Sequence, residues 1–184
     1  MRTLPASLIQ LSISLALLGA ANCAFSQPEA IEAPEDACLA AVQALAADAD
    51  RTCSDQIARL RYDAASTGNA PALAGALNNR AIARMQNGDL EGAAADLTEA
   101  TALEPAAWAP YLNRANLALR TGDPAAALND LGRLREMLPA NSPAALAAAR
   151  NAALAWRMLG NLNAAAAQLN GADPAPLAPE TPPG

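Results

Sequence analysis

Two cysteines, a recurrent asparagine and a set of arginines are the residues here whose types and spacing could do chemistry. The chain contains no His and no Lys, so all twelve basic residues are Arg. Eighteen acidic residues bring the net charge to −6. Without His, the side chain that most often does acid–base work near neutral pH is missing. Glu91, Glu99 and Glu104 could in principle pair as the carboxylates of a glycosidase, but no aromatic sugar platform accompanies them. There is no Cys/His metal spacing, no glycine-rich phosphate loop and no Gly-x-Ser-x-Gly. The reading is therefore no enzyme, no cofactor and no metal. An acidic chain is also a poor ligand for nucleic acid, because that affinity rests on neutralising phosphates. What remains is recognition. An Asn amide can donate to a peptide carbonyl and accept from its N–H, and Asn79, Asn113 and Asn151 recur at one register. Arg120, Arg150 and Arg157 add positive charge that could hold a carboxylate in bidentate fashion. The plainer alternative is that the asparagines hydrogen-bond within the scaffold. Arg80 and Arg114 are expected to do so, as structural pairs with Asp96 and Asp130.

The elements that must position these groups are helical. Hydrophobic residues make up 53% of the chain, most of them alanine, and there is a single Val. Alanine has the highest intrinsic helix propensity and lets helices approach closely, so thin helical layers are expected rather than one thick core. Residues 1–26 read as a secretory leader: Arg2 at the positive end, an apolar run from Leu8 to Leu18, and the small-x-small site Ala24-Phe25-Ser26 before Gln27. The run is too short to stay as a membrane span, which needs ~20 apolar residues. A lipidated start at Cys23 is disfavoured, since Ala20-Ala21-Asn22 lacks the Leu and small residue usual before such a site. The mature chain is then periplasmic or secreted, with no membrane insertion after cleavage. Losing Arg2 makes it one unit more acidic.

Export leaves two cysteines, Cys38 and Cys53, which read as a disulfide; the alternative is two inert buried thiols. Geometry sets a condition on the bridge. If 35–47 and 51–66 formed a straight hairpin turning near 48–50, the two cysteines would be offset by roughly 10 Å along the helix axes. Bridged Cα atoms lie only ~5.5 Å apart. The first segment must therefore break or bend before Asp48.

Self-similarity is the strongest organising signal. Asn79-Arg80-Ala81 recurs as Asn113-Arg114-Ala115, Gly88-Asp89 as Gly122-Asp123, Asp96-Leu97 as Asp130-Leu131, and Pro105 as Pro139, each 34 residues on. A third unit keeps Asn151, Gly160, Ala165 and Leu169 at the same internal spacing after a four-residue insertion. Each unit reads as a helix, a turn and a second helix. Gly88, Gly122 and Gly160 end the first helices in a left-handed conformation, and Asp89, Asp123 and Asn161 cap the second ones. Pro124 and Pro143 suit first-turn positions, while Pro105 and Pro139 follow the helix ends.

These residues resemble the tetratricopeptide repeat family over roughly 72–170, and the layout with two cysteines ahead of the repeats resembles small secreted bacterial members of it. The resemblance implies an all-α, right-handed solenoid of helical hairpins. Its parts would be a linker 27–34, a leading helical segment 35–70, units at 71–107 and 108–141, and a third unit or a capping unit at 142–171. Residues 172–184, with five prolines, read as a disordered or polyproline-like tail. It further implies a concave groove lined by the first helix of each unit: Asn78, Asn79, Ile82, Met85 and Gln86, then Leu112, Asn113, Asn116, Leu119 and Arg120, then Arg150, Asn151, Leu154, Arg157 and Met158. The peptide-binding set is then Asn78, Asn79, Gln86, Asn113, Asn116, Arg120, Arg150, Asn151 and Arg157. The family's carboxylate-clamping members use Lys together with Asn; this chain has the Asn and lacks the Lys. The expected function is a scaffold or adaptor that holds an extended, acidic segment of a partner protein. The alternatives are a structural or envelope-assembly component working through its convex or edge surface, and an accessory of a periplasmic enzyme.

Overall fold

Between its Gly and Pro punctuation the alanine-rich chain coils into eight α-helices, with no strand among the described residues. A computed structural model describes residues 37–67 and 69–169. The expected leader, linker, cleavage site, Cys23 and tail lie outside them. The helices are α1 (Ala37–Gln43), α2 (Ala49–Thr67), α3 (Ala70–Asn87), α4 (Leu90–Leu103), α5 (Trp108–Thr121), α6 (Pro124–Met137), α7 (Pro143–Met158) and α8 (Leu162–Leu169). None is long and apolar enough to cross a membrane.

Local chemistry explains where they start and stop. Gly88, Gly122 and Gly160 have φ of 85°, 82° and 79°, a left-handed conformation that costs glycine nothing. Each closes its helix with the same pair of bonds; at Gly88, Asp89 N donates to Arg84 O and Gly88 N to Met85 O. The following residue caps the next helix: Asp89 Oδ1 accepts from Gly92 N, Asp123 Oδ1 from Ala126 N and Asn161 Oδ1 from Ala164 N, each at 2.9 Å. Ser142 Oγ accepts from Ala145 N at 3.2 Å, with Pro143 in the first turn of α7.

Helix α1 stops well before Asp48. Its closure is the same double bond, Ala46 N to Ala41 O and Leu45 N to Val42 O, but the left-handed residue is Leu45, with φ 52°. This break lets Cys38 and Cys53 meet. Their Cα atoms are 4.4 Å apart and their sulfurs 2.05 Å apart, a disulfide. Both cysteines are buried beside Val42, Ala49 and Ala83.

Each helix packs on its chain neighbours, and the odd-numbered helices also meet one another: α1 with α3, α3 with α5, α5 with α7. They thus form one row, with the even-numbered helices behind it. Between α3 and α4 the crossing is made by Ala81 and Ala93, and between α5 and α6 by Ala115 and Ala127, all fully buried. Leu77, Leu97, Leu128 and Leu134 fill the seams. The largest cluster gathers Tyr111, Leu131, Leu134 and Trp156 around alanines of α7 and α8.

Candidate functional site

The odd-helix row carries all nine expected binding residues: Asn78, Asn79 and Gln86 on α3, Asn113, Asn116 and Arg120 on α5, and Arg150, Asn151 and Arg157 on α7. It brings several of them into contact with one another. Asn113 Nδ2 donates to Asn78 Oδ1 at 2.8 Å, joining α5 to α3. Asn78 Nδ2 points to Asn79 Oδ1 at 3.4 Å. Leu112 stands where the repeat would place a second Asn78, so Asn151 Nδ2 donates instead to Asn116 Oδ1, one turn further along α5. Arg120 is exposed, yet its Nη1 donates to the Met85 carbonyl at 2.7 Å. The Met85 carbonyl already accepts from Gly88 N at 3.3 Å, so Arg120 adds a second, charged donor to the last turn of α3. Asn78 is buried, Asn79, Asn113 and Asn151 are half-buried, and Gln86, Asn116, Arg150 and Arg157 are exposed. Gln86, Arg150 and Arg157 make no side-chain hydrogen bond among the described residues.

The opposite flank of the same helices is ionic. Arg80 forks onto Asp96 at 2.7 and 2.9 Å and reaches Ser54 Oγ at 3.1 Å. Arg84 also reaches Asp96, at 2.8 Å, and Asp50, at 3.1 Å. Arg114 forks onto Asp130 at 2.7 and 2.8 Å and reaches Thr101 Oγ1 at 2.9 Å. The hydrogen bond to Asp96 raises the Arg80 pKa above its ordinary value, against the lowering effect of partial burial. Asp130 does the same for Arg114. Both guanidiniums are therefore charged at every accessible pH, fixing the second helix of each pair against the first. These pairs were legible from spacing. The shares taken by Arg84, Asp50, Ser54 and Thr101 were not: Asp50, Ser54 and Thr101 come from neighbouring helices, and Arg84 has only Ala118 at its place 34 residues on.

A simpler signal lies in the charges. Helices α1, α3, α5, α7 and α8 contain no Asp or Glu; every carboxylate of the described helices sits on α2, α4 or α6. The odd row holds six arginines, of which Arg80, Arg84 and Arg114 are matched by Asp96 and Asp130. Arg120, Arg150 and Arg157 form no ion pair among the described residues. The row is thus the electropositive side of an acidic chain, and counting carboxylates helix by helix would have shown it. Among the described residues no group of His, Cys, Asp or Glu could hold a metal ion. What the row can do chemically is donate hydrogen bonds and attract anions. No protein-family model matches the chain, and no curated protein is significantly similar to it.

Proposed function

We propose that this chain is an exported helical-hairpin solenoid of tetratricopeptide type, without a catalytic centre, that holds an extended segment of a partner protein along its odd-helix face. The observation that carries the reading is the carboxylate-free row of α3, α5 and α7, with amide and guanidinium groups along it. The 34-residue period and the disulfide between Cys38 and Cys53 support the repeat architecture and the export. Gln86 has its whole amide available for a peptide backbone, while Asn79 and Asn116 keep their Nδ2 donors and Asn113 and Asn151 their Oδ1 acceptors. Arg120, Arg150 and Arg157 favour acidic character in that backbone's segment. The paired amides favour a second reading, in which Asn78, Asn113 and Asn151 only tie helices together and the convex or edge surface meets an envelope component.

Selection of random peptides against the full chain, followed by titration of an enriched peptide, separates the two. On the first reading Gln86→Ala and Asn116→Ala weaken binding by ~1–3 kcal/mol without changing the melting temperature. Arg120→Ala weakens it by an amount that shrinks as salt rises. Asn113→Ala tests the scaffold role, because it leaves the buried Asn78 oxygen without its donor. If only Asn113→Ala acts, and acts on stability alone, the groove reading fails and the second takes its place.

A further inference from the structure

The α7–α8 end of the described chain differs from the rest in charge and in cover. No Asp or Glu occurs between Glu136 and Asp173, in a chain with eighteen of them. Ten large hydrophobic side chains are exposed among the described residues, and six of these (Leu146, Leu154, Met158, Leu159, Leu162 and Leu169) lie on α7, α8 and their turn. Leu169 shows why. Its counterparts in the repeat, Leu97 and Leu131, are 0% and 3% exposed, covered by α5 and by α7, whereas Leu169 is 63% exposed.

On α7 the exposed groups form a line. Leu146, Arg150, Leu154 and Met158 follow one another at four-residue steps, with Arg157 beside them. Positions four apart are neighbours on a helix surface, so the stripe follows the axis for ~18 Å while winding ~120° around it. The asparagines of the row are spent in part on one another, and Arg120 on a carbonyl. Arg150 and Arg157, by contrast, have no partner among the described residues. Alternating apolar and cationic side chains along a helix fit a partner with apolar side chains at helical spacing, flanked by carboxylates. A helix is favoured over a strand, because α7 has its backbone bonds satisfied internally and offers no sheet edge to extend. A protein segment is favoured over an anionic bilayer, since two arginines face lipid charge against a net charge of −6.

We infer that the Leu146–Arg150–Leu154–Arg157–Met158 stripe of α7 is the docking site for an acidic amphipathic helix of a partner protein. The inference rests on the reading of the odd-helix row as a binding face, and it places the ligand along α7 rather than across α3 and α5. The test titrates the full chain with three fluorescent synthetic peptides: a helix with leucines three and four residues apart among glutamates, a scrambled isomer, and the same helix with lysine for glutamate. The acidic helix should bind at least ~10-fold more tightly than either control, and less tightly as salt rises. The double variant R150Q/R157Q, and separately Leu154→Ser, should weaken it by ~10-fold or more at unchanged melting temperature. Failure of the acidic helix to bind while a selected extended peptide still binds would overturn this inference and leave the extended-segment reading standing. Equal binding of the acidic and lysine helices, or indifference to R150Q/R157Q, would overturn the inference. So would co-sedimentation with phosphatidylglycerol vesicles in the absence of helix binding.

Discussion

At the scale of single residues, Leu45 and Asp96 stand at opposite ends: one is strained and replaceable, the other is buried and held by two arginines. Leu45 takes the left-handed place that glycine holds at Gly88, Gly122 and Gly160, with φ 52°. That conformation costs an L-residue ~1–2 kcal/mol, and the exposed leucine side chain regains little by burial. Leu45→Gly should therefore stabilise the chain by about 0.5–1 kcal/mol after the extra entropy of glycine in the unfolded state. Thermal unfolding with the disulfide intact measures it. Asp96 is buried and accepts from both Arg80 and Arg84, whereas among the described residues Asp130 accepts from Arg114 alone. Removing one partner of a buried ionic cluster leaves charge uncompensated. Asp96→Asn should cost about 3 kcal/mol in chemical denaturation and Asp130→Asn clearly less. Equal losses would mean that Arg84 contributes nothing to the cluster.

Among the elements, α1 depends most on something other than its own helix. It has seven residues, too few for an isolated helix to persist. What holds it is the bridge to α2, the bond from Cys38 N to Gln56 Oε1 at 3.0 Å and the packing of Val42. A disulfide closing a ~15-residue loop contributes about 3 kcal/mol in the chain-entropy model. Reduction should release α1 first. Hydrogen exchange of the reduced chain should show α1 amides losing protection while α3 to α7 keep theirs. Intact mass after alkylation without reductant should show neither Cys38 nor Cys53 modified. Simultaneous loss of protection along the whole chain would mean that α1 is integral to the fold rather than tied to its edge.

Across the whole molecule, stability should be carried by contacts between successive helix pairs, as expected for the proposed solenoid. Tyr111, Leu131 and Leu134 are buried largely against α7 and α8. Deleting 143–184 uncovers them, and a fully buried leucine is worth ~1.5–3 kcal/mol. The melting temperature should fall by roughly 5–10 °C. An unchanged melting temperature would show that the last pair is not docked in solution. The same deletion removes the whole α7 stripe, so loss of acidic-helix binding in the truncated chain should exceed that of R150Q/R157Q.

Much of this architecture could be read before any coordinates, because its signals act over a few residues. Glycine at a left-handed position, Asp or Asn at a cap and proline past a helix end constrain the backbone where they stand. The ends at Gly88, Gly122 and Gly160 were legible for that reason, as were the arginine–aspartate pairs that repeat with them. The closure of α1 at Leu45 was legible only as a requirement of the cysteine geometry, since leucine is not a residue that announces a turn. Which amides remain open to a ligand was decided by tertiary structure alone. Asn78, Asn113, Asn116 and Asn151 are alike in sequence, yet the distance between α3, α5 and α7 pairs them in twos. Side-chain pairing across helices depends on crossing geometry, and nothing within a single helix encodes it. The uncovered leucines of α8 follow the same logic: Leu169 is equivalent to Leu131 in the repeat and differs only in having no described helix packed over it.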